Sequence, residues 1–403
     1  MTLAQRATRI TTAEQALAVA AQLAENFRSA AAARDADRVL PHQQVAELKA
    51  SGLLALSVPD EFGGPEAPAT VVAEVFRRLA DADPSVAQIP QSHFTLLQLL
   101  RLQGTAAQQE FFFAQVLDGA LLANAQVERG PHPVNVDSTT LRPVGTDFVV
   151  DGRKFYCTGS LFGDWLAVRA AVDPQSDPNE LTPKAFAFIP ADAPGLRVID
   201  DWDGMGQRTT ASGTVVLDAV SVPAAHVVPF TPVFDSVTLF GARAQLVHTA
   251  IDVGIATGAL AEGVRQAAKA RAHFEAGVDT AVEDPTLIAV AGELTVTVRA
   301  AQALLAEAAG KVDAAQENLT ADSAAEASVA VAVAKVAAAR AALDASSLLF
   351  ELGGTRSATA ASNLSRYWRD ARTHTLHDAT RWKLQHIGRY TLSGTKPPRH
   401  GQL

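Results

Sequence analysis

The sequence has 403 residues, 48% of them hydrophobic, and its 34 basic and 43 acidic side chains give a formal charge of −9. This length exceeds a usual single hydrophobic core, so we expect two or three structural units. The acidic balance, without a long basic run, argues against nucleic acid as a partner. The single cysteine, Cys157, cannot form a disulfide within the chain, and the first residues lack the pattern of a signal peptide. With no run of 18 or more residues apolar enough to span a bilayer, we expect a cytoplasmic protein outside the membrane.

Residues 1–122 have the pattern of an N-terminal all-α domain. Thr12 is a suitable N-cap before an alanine-rich stretch, and Pro41 is suited to open a second helix. Residues 58–65 read Val-Pro-Asp-Glu-Phe-Gly-Gly-Pro, which predicts a loop because Pro and Gly interrupt regular structure.

Residues 123–237 change to the period of strands and predict a small β domain. Residues 148–150 and 153–157 flank Asp151 and Gly152, and an Asp-Gly pair readily adopts the positive φ angles of a tight hairpin turn. We therefore expect a hairpin at this point. Further strands are predicted at residues 185–189, 196–199 and 214–217.

Residues 238–403 return to helical character. Long helices are predicted at residues 261–274, 285–311, 323–352 and 362–391, and their many small residues permit close approach of helix axes, as in a bundle. Helices, then strands, then helices place the chain in the α+β fold class.

His374, His377 and Asp378 form the most informative group of the sequence. If their segment is helical, as its lack of Gly and Pro allows, the i,i+3 and i,i+4 spacings place them on one patch. Two imidazoles that titrate near neutrality and a carboxylate would then form a proton-handling set. The alternatives are histidines that only stabilise a helix C-terminus and an Asp that is a surface ion-pair partner. A metal site is a weaker alternative, since no cysteine or H-E-x-x-H motif accompanies the group.

The residues around this group resemble the C-terminal flavin-binding end of the acyl-CoA dehydrogenase superfamily. In that family a glycine pair, here Gly353 and Gly354, precedes an Arg-Asp-Ala-Lys/Arg run, here residues 369–372. The dehydrogenases usually continue with Tyr-Glu-Gly-Thr, whose Glu removes the substrate α-proton, whereas this chain reads His-Asp-Ala-Thr at residues 377–380. That departure, with the Pro-Pro-Arg-His-Gly tail at residues 397–401, is similar to one branch of the superfamily. This branch contains the reduced-flavin-dependent monooxygenases related to dibenzothiophene monooxygenase and to the sulfur-acquisition oxidoreductases.

The resemblance implies an N-terminal helical domain, a central small β-barrel or β-sandwich domain and a C-terminal four-helix bundle with an extended tail. The corresponding domain limits are residues 1–122, 123–237 and 238–403.

The resemblance also implies flavin contacts from the β domain. Asn124 lies where the family begins the strand that faces the isoalloxazine ring, and Thr158, Gly159 and Ser160 follow in a similar register. Short polar side chains suit the carbonyl and N5 edge of the ring, because they donate or accept without filling the pocket. Asn124 and Ser160 are also candidates for contact with the oxygen adduct, and Trp202 for the flavin wall. The alternatives are an ordinary Thr-Gly-Ser turn and hydrophobic packing of Trp202 at a strand end.

A second set of residues is implied at the flavin phosphates, where subunits of the family meet. Arg271 and Phe274 resemble an Arg-x-x-Phe step on the first bundle helix, and Arg356 lies beside Gly353 and Gly354. A guanidinium binds phosphate through paired hydrogen bonds, although a structural ion pair is the alternative for either arginine.

Histidines carry the implied proton chemistry. The resemblance places His377 near the reactive edge of the flavin, where it exchanges a proton while His374 or Asp378 holds its tautomer. His93 lies where an N-terminal helix can lean over the flavin, so it is a further catalytic candidate. A buried, hydrogen-bonded histidine is the alternative for His93.

The implied reaction is a two-component monooxygenation. No G-x-G-x-x-G motif sits between a strand and a helix, so we do not expect NAD(P)H to bind as in a Rossmann enzyme. A separate flavin reductase would supply reduced FMN, and the protein would use O2 to oxygenate a small organosulfur compound through a C4a-(hydro)peroxyflavin. Because the phosphate site is shared between subunits in the family, we expect a homotetramer. The main alternative is an FAD-dependent acyl-CoA dehydrogenase or flavin oxidase with Asp378 as base, followed by a catalytically idle flavin-binding or assembly protein.

Overall fold

The computed structural model describes residues 7–131, 133–174, 179 and 181–403. Within these residues seven helices are followed by eight strands and then by five helices, which confirms the α+β class. The helices are α1 (Ala13–Arg28), α2 (Ala31–Asp37), α3 (His42–Ala50), α4 (Ala69–Ala82), α5 (Pro84–Gln88), α6 (Gln91–Gln103), α7 (Ala106–Leu117), α8 (Phe240–Ala267), α9 (Pro285–Glu317), α10 (Ala321–Gly353), α11 (Ser365–His374) and α12 (Thr380–Ser393). The strands are β1 (Leu122–Ala125), β2 (Thr140–Val144), β3 (Asp147–Cys157), β4 (Trp165–Val172), β5 (Lys184–Pro190), β6 (Leu196–Ile199), β7 (Gly213–Val222) and β8 (Val227–Pro229).

The N-terminal helices begin where the sequence indicates, with one addition. The Thr12 hydroxyl accepts a hydrogen bond from the Gln15 amide and caps α1, as predicted. Pro41 directly precedes α3. Because α2 lies between α1 and Pro41, Pro41 opens the third helix rather than the second. Residues 58–65 form the expected connection and contain one 3₁₀ turn, Asp60–Phe62.

The strands form one mixed sheet. Seven of the eight described strands follow the order β6-β7-β3-β2-β4-β5-β8, and β1 pairs with β4 in parallel. The strands predicted at residues 185–189, 196–199 and 214–217 are confirmed as β5, β6 and part of β7. Trp165 of β4 and Phe188 of β5 pack against Phe112 of α7, which joins the sheet to the N-terminal helices.

The hairpin predicted at Asp151 and Gly152 is wrong. β3 runs through both residues, and the chain reverses earlier, at Gly145 and Thr146 between β2 and β3. Gly152 lies at an irregularity in the β3–β7 register with a φ of 151°, and Asp151 Oδ1 accepts a hydrogen bond from the Ala219 amide. An Asp-Gly pair supplies positive φ for a bulge as readily as for a turn, so the pattern did not distinguish the two.

The long helices of the C-terminal part are α8, α9 and α10, and α8 packs against α4, α9 and α10. The helices predicted at residues 285–311 and 323–352 are confirmed as α9 and α10. The helix predicted at residues 261–274 is wrong at both ends, because α8 begins at Phe240 and ends at Ala267. Most of α8 is buried, so it lacks the polar face whose period would reveal its start.

The helix predicted at residues 362–391 is in fact two helices. α11 ends at His374 and α12 begins at Thr380, so His374, His377 and Asp378 do not share one helix. The turn after α11 still keeps His377 close, because its amide donates a hydrogen bond to the His374 carbonyl at 3.0 Å.

Two helices correct the expectation that no apolar run is long enough to cross a membrane. By length and composition alone, α8 and α9 both qualify. The most apolar window of α8 is 83% buried inside the protein, whereas that of α9 is only 17% buried. On α9, Ile288 and Val296 are 56% and 70% exposed. One face of α9 is therefore apolar and uncovered in the single chain.

The domain limits at residues 1–122, 123–237 and 238–403 stay a prediction. They are compatible with the end of α7 at Leu117, the start of β1 at Leu122 and the start of α8 at Phe240.

Candidate active site

Three histidines meet between α8 and the end of α11. His374, the last residue of α11, and His248, in α8, are both buried. His374 Nε2 lies 3.1 Å from His248 Nδ1, which is a hydrogen-bond distance. The centroid of the His248 ring lies 4.0 Å from that of His377, while the His374 and His377 centroids are 6.5 Å apart. His248 therefore lies between the two histidines that the sequence singled out.

The buried end of this group is an ion pair inside the helical bundle. Asp252 lies one turn after His248 on α8. Its Oδ1 is 2.5 Å from His374 Nδ1, and its Oδ2 accepts from Lys335 Nζ of α10 at 2.7 Å. The side chains of Asp252, His374 and Lys335 are at most 1% exposed. Charges buried this deeply persist only when they are paired, so Asp252 and Lys335 stabilise each other in the core.

The opposite end of the group reaches solvent at His377. This residue is exposed, and its ring packs against that of His248. Its pKa is lowered to about 4, chiefly by desolvation of the imidazolium and next by repulsion from His374. The pKa of His248 is also lowered well below its ordinary value, by burial and by the two neighbouring histidines. His377 and His248 are therefore neutral at neutral pH, each with one N–H donor and one nitrogen lone pair that can accept.

Asp378 belongs to a separate ion pair. Its carboxylate lies 2.9 Å from Lys383 Nζ in the first turn of α12, and both side chains are 4% exposed. Burial disfavours the carboxylate charge, but Lys335 and Lys383 outweigh this effect and hold the pKa of Asp378 below its usual range. Lys383 also donates a hydrogen bond to the Gln402 carbonyl, so the C-terminal tail contacts this pair. An ion-paired carboxylate with a lowered pKa is a poor proton acceptor.

The polar residues implied on the β side belong to a cluster of hydroxyls. Thr158 Oγ1 lies 2.8 Å from Ser212 Oγ, which lies 2.7 Å from Thr210 Oγ1. Ser160, two residues after Thr158, is 2% exposed, and its hydroxyl has only a long 3.4 Å contact with the Ala211 carbonyl. A buried hydroxyl bonded so weakly has hydrogen-bonding capacity left for a ligand.

Asn124 and Trp202 are each held by a neighbouring polar group. Asn124 is buried on β1, and its Oδ1 accepts a hydrogen bond from Gln126 Nε2 at 2.8 Å. Trp202 is half-buried, its indole N–H donates to the Gln207 carbonyl at 2.9 Å, and its ring packs edge-on against Tyr156. Within the described residues neither side chain hydrogen-bonds to the three histidines.

The loop that carries Trp202 and Thr210 and leads to Ser212 contacts α11 through hydrogen bonds. The Gln207 amide donates to Asp370 Oδ1 at 2.6 Å, and Arg369 Nη1 donates to the Met205 carbonyl at 2.9 Å. A Cβ atom on Gly206 would lie 2.0 Å from the Arg369 carbonyl oxygen, so only glycine permits this approach. Because α11 ends at His374, the contact between α11 and this loop positions the residues of the β side relative to the histidines.

The residues implied at the flavin phosphates lie on other elements. Arg271 and Phe274 follow the end of α8 rather than lying on it, which corrects their predicted position. Both are exposed, Phe274 by 85%. Across the described part of the chain the Arg271 guanidinium forms no ion pair.

The end of α10 is tied to this segment. Gly353 is the last residue of α10, and Gly354 follows it with a positive φ of 63°. The Arg356 guanidinium donates a hydrogen bond to the Lys269 carbonyl. Gly353 is buried, whereas Gly354 and Arg356 are exposed, and the hydrogen bond from Arg356 to Lys269 places the end of α10 beside the segment that carries Arg271.

His93 has both ring nitrogens bonded to the backbone. Nε2 lies 2.9 Å from the Leu54 carbonyl and so carries the hydrogen, while Nδ1 accepts from the Leu122 amide at 3.1 Å. The side chain is fully buried, and desolvation lowers its pKa to about 4. This geometry favours the alternative of a hydrogen-bonded structural histidine, and a catalytic role of His93 stays a prediction.

His248, Asp252 and Lys335 are the members of the group that sequence reasoning missed. A weak signal exists for each: His248 and Asp252 are spaced i,i+4 in an otherwise apolar helix, and Lys335 interrupts a run of Ala and Val. Among the described residues, no three His, Cys, Asp or Glu side chains are arranged to hold a metal ion.

Two domain models of one protein family and several known proteins match this chain in sequence. The N-terminal domain model of the acyl-CoA dehydrogenases matches residues 11–120, and the C-terminal domain model matches residues 246–382. A dibenzothiophene monooxygenase of Rhodococcus erythropolis is 32% identical over 395 residues, 94% of each chain. The probable FMNH2-dependent monooxygenase SfnC of Pseudomonas putida is 30% identical over 403 residues, covering 95% of this chain and 96% of SfnC.

A solved structure agrees with these sequence matches. The crystal structure of FMN-bound TdsC from Paenibacillus sp. A11-2 has a TM-score of 0.90 and 32% sequence identity, and the match covers 96% of this chain and 100% of TdsC. The chain therefore belongs to the acyl-CoA dehydrogenase superfamily, in the branch that contains these monooxygenases.

Proposed function

We propose that this protein is a two-component monooxygenase that uses reduced FMN and O2 to oxygenate a small organosulfur compound, in desulfurisation or sulfur acquisition. The observation that carries the proposal is His377, a neutral, solvent-accessible imidazole that adjoins the position where dehydrogenases of the superfamily have their Glu base and this chain has Asp378. FMN in the TdsC crystal structure and the FMNH2-dependence in the name of SfnC support the cofactor. The finer part of the proposal is that O2 reacts through a C4a-(hydro)peroxyflavin.

The side chains present fit FMN at both of its ends. The weakly bonded Ser160 hydroxyl and the neighbouring hydroxyl cluster offer buried donors and acceptors for the ring, and Arg271 offers an exposed guanidinium for phosphate. We assign the ring contacts to Asn124, Thr158, Gly159, Ser160, Trp202 and His377, and the phosphate region to Arg271, Phe274, Gly353, Gly354 and Arg356.

Reduced FMN, when bound, supplies the electrons that activate O2 and the site that carries the transferred oxygen. The chain's own contribution is proton handling. His377 accepts or donates a proton at its ring nitrogens, and the His248 ring packed against it fixes its orientation. His374 and Asp378 are the further candidates, one hydrogen-bonded to His248 and the other ion-paired to Lys383.

The proposal requires partners. A separate reductase supplies reduced FMN by diffusion, since the chain has no Rossmann glycine motif. We also propose a homotetramer in the cytoplasm. The exposed Arg271 and Phe274 and the uncovered apolar face of α9 support the assembly.

The dehydrogenase or oxidase alternative needs Asp378 as the base. Its carboxylate is buried, paired with Lys383 and lowered in pKa, all of which weaken it as a proton acceptor. No observation in the described residues favours this alternative over the monooxygenase.

The test of the proposal is flavin identity followed by product analysis. We expect the purified protein to bind FMNH2 in preference to FAD, and to convert at least one member of a panel of small sulfides, sulfoxides and sulfones when a flavin reductase, NADH and O2 are supplied. Stoichiometric, tightly bound FAD that is bleached by acyl-CoA would overturn the proposal and move the protein to the dehydrogenases.

A further inference from the structure

Lys335 is a buried lysine in the alanine-rich helix α10, and its side chain does not reach the solvent. Its side chain is 1% exposed, and its Nζ donates to Asp252 Oδ2 at 2.7 Å. The other oxygen of the same carboxylate, Oδ1, is 2.5 Å from His374 Nδ1. One carboxylate on α8 therefore receives hydrogen bonds from α10 and α11, one on each oxygen.

This arrangement fixes the position of one hydrogen on His374. Burial disfavours the charge of Asp252, but Lys335 and His374 outweigh it, so its pKa is lowered to about 2 and it is ionised at neutral pH. An ionised carboxylate only accepts hydrogen bonds, so the hydrogen between Oδ1 and His374 belongs to Nδ1. His374 Nε2 is then the nitrogen of this ring that remains for the hydrogen bond with His248 Nδ1, at 3.1 Å.

The charged and titratable groups around the hydrogen bond between His374 and His248 lie on α8, α10, α11 and α12 and in the turn between the last two. They are His248 and Asp252 on α8, Lys335 on α10, His374 on α11, His377 and Asp378 in the turn after it, and Lys383 on α12. His248 is the link between the two histidines of the turn region, because it bonds to His374 and packs its ring against His377.

We propose that Asp252, oriented by Lys335, is a positioning residue that sets the tautomer of His374. With Nδ1–H held by Asp252, His374 Nε2 is left to hydrogen-bond with His248 Nδ1 and to fix the His248 ring that packs behind His377. The tautomer follows from the ion pair of Asp252 with Lys335 and its hydrogen bond to His374, whereas its value for catalysis rests on the proposed monooxygenase function.

Asparagine at position 252 separates this role from simple packing. The Lys335 ammonium has only donors, so it takes the single carbonyl oxygen of Asp252→Asn. The amide NH2 then faces His374 Nδ1, which must lose its hydrogen to act as acceptor, and the hydrogen moves to Nε2. In the double variant Asp252→Asn/Lys335→Met the ammonium is gone, so the amide can rotate, return its oxygen to His374 and restore the Nδ1–H form.

The experiment measures the tautomer directly in the full-length, flavin-free protein. Nitrogen-15 NMR of histidine-labelled protein distinguishes N–H from lone-pair ring nitrogens, and His374→Phe assigns the signal by its loss. We expect Nδ1–H on His374 in wild type, Nε2–H in Asp252→Asn, and Nδ1–H again in the double variant. Asp137→Asn is the matched control, because Asp137 is also buried and paired with a lysine, Lys154, while its other ion-pair partner among the described residues is Arg169 and not a histidine. It should leave the His374 signal unchanged.

The catalytic arm compares the same variants under FMNH2 and O2. We expect Asp252→Asn to lower oxygen transfer roughly tenfold and to change its pH profile, as expected for loss of an orienting partner, and the double variant to recover part of the loss. Wild-type His374 protonated only at Nε2, or an unchanged His374 signal in Asp252→Asn, would overturn the tautomer assignment. A changed tautomer with unchanged oxygen transfer and pH profile would overturn the catalytic role. Because NMR needs neither flavin nor substrate, the assignment is tested even if the monooxygenase proposal fails.

Discussion

At the scale of single residues, the proposed chemistry depends most on His377. His377→Phe keeps a planar ring against His248 but removes both nitrogens, so binding of FMNH2 should largely survive. Product formation should fall by about 10²-fold or more, the usual scale for loss of a general acid or base. Coupling of FMNH2 consumption to product, with flavin affinity measured in parallel, checks this expectation. Wild-type coupling in the variant would give the ring a structural role only.

Ser160 should matter less than His377. Its hydroxyl is one neutral donor among several, so Ser160→Ala should cost roughly 1 kcal/mol of flavin or adduct stabilisation, about five-fold in rate or affinity. The matched control is Ser346→Ala, a buried serine of α10 whose hydroxyl bonds to the Leu343 carbonyl. If both variants lose the same activity, or neither loses any, Ser160 has no specific contact with the flavin.

At the scale of elements, the docking of α11 on the β-side loop should depend on pH through Asp370. Burial, and next the negative charge of Asp35, raise the pKa of Asp370 to about 7, well above the roughly 3.9 of an unfolded Asp. Between these values the folded state binds a proton that the unfolded state does not. Rising pH therefore removes stability, by at most about 1.4 kcal/mol per pH unit.

Asp370→Asn should remove this pH dependence. The amide keeps an oxygen that accepts from the Gln207 amide and cannot ionise. Urea unfolding of both proteins at pH 5 and pH 8 measures the effect. We expect the variant to gain stability relative to wild type at the higher pH. Parallel pH dependence in the two proteins would show that Asp370 ionises normally in the fold.

Elements whose sequence signal is local were predicted well, and those set by distant contacts were not. Thr12 marks the start of α1 because its own hydroxyl caps the helix. His374 and His377 are close in sequence, so a local pattern can join them. Asp252 and Lys335 are 83 residues apart in the chain, so no local pattern joins them. The Asp151–Gly152 pair is compatible with both a bulge and a turn, and only the pairing of β3 with β7 decides between the two. Even the break between α11 and α12 has no Gly or Pro to mark it.

At the scale of the whole molecule, the uncovered face of α9 bears on assembly. We expect light scattering to give the mass of a homotetramer, because a soluble protein rarely leaves such an apolar face open. Val296→Arg places a charge on this face, where Val296 is 70% exposed, and should shift the mass downwards. Leu181→Arg is the control, since Leu181 is 84% exposed and lies in the β region. A stable wild-type monomer with full flavin affinity would contradict the tetramer and the shared phosphate site.

The most direct test of the central claim is rapid mixing of the flavin-free protein with FMNH2 and oxygenated buffer, followed by absorbance. If the protein is a reduced-FMN monooxygenase, a flavin–oxygen adduct should form, persist without substrate and decay to oxidised FMN with product when an organosulfur substrate is present. Oxidation of FMNH2 at the same rate and with the same spectra as in buffer alone, across the whole substrate panel, would contradict it.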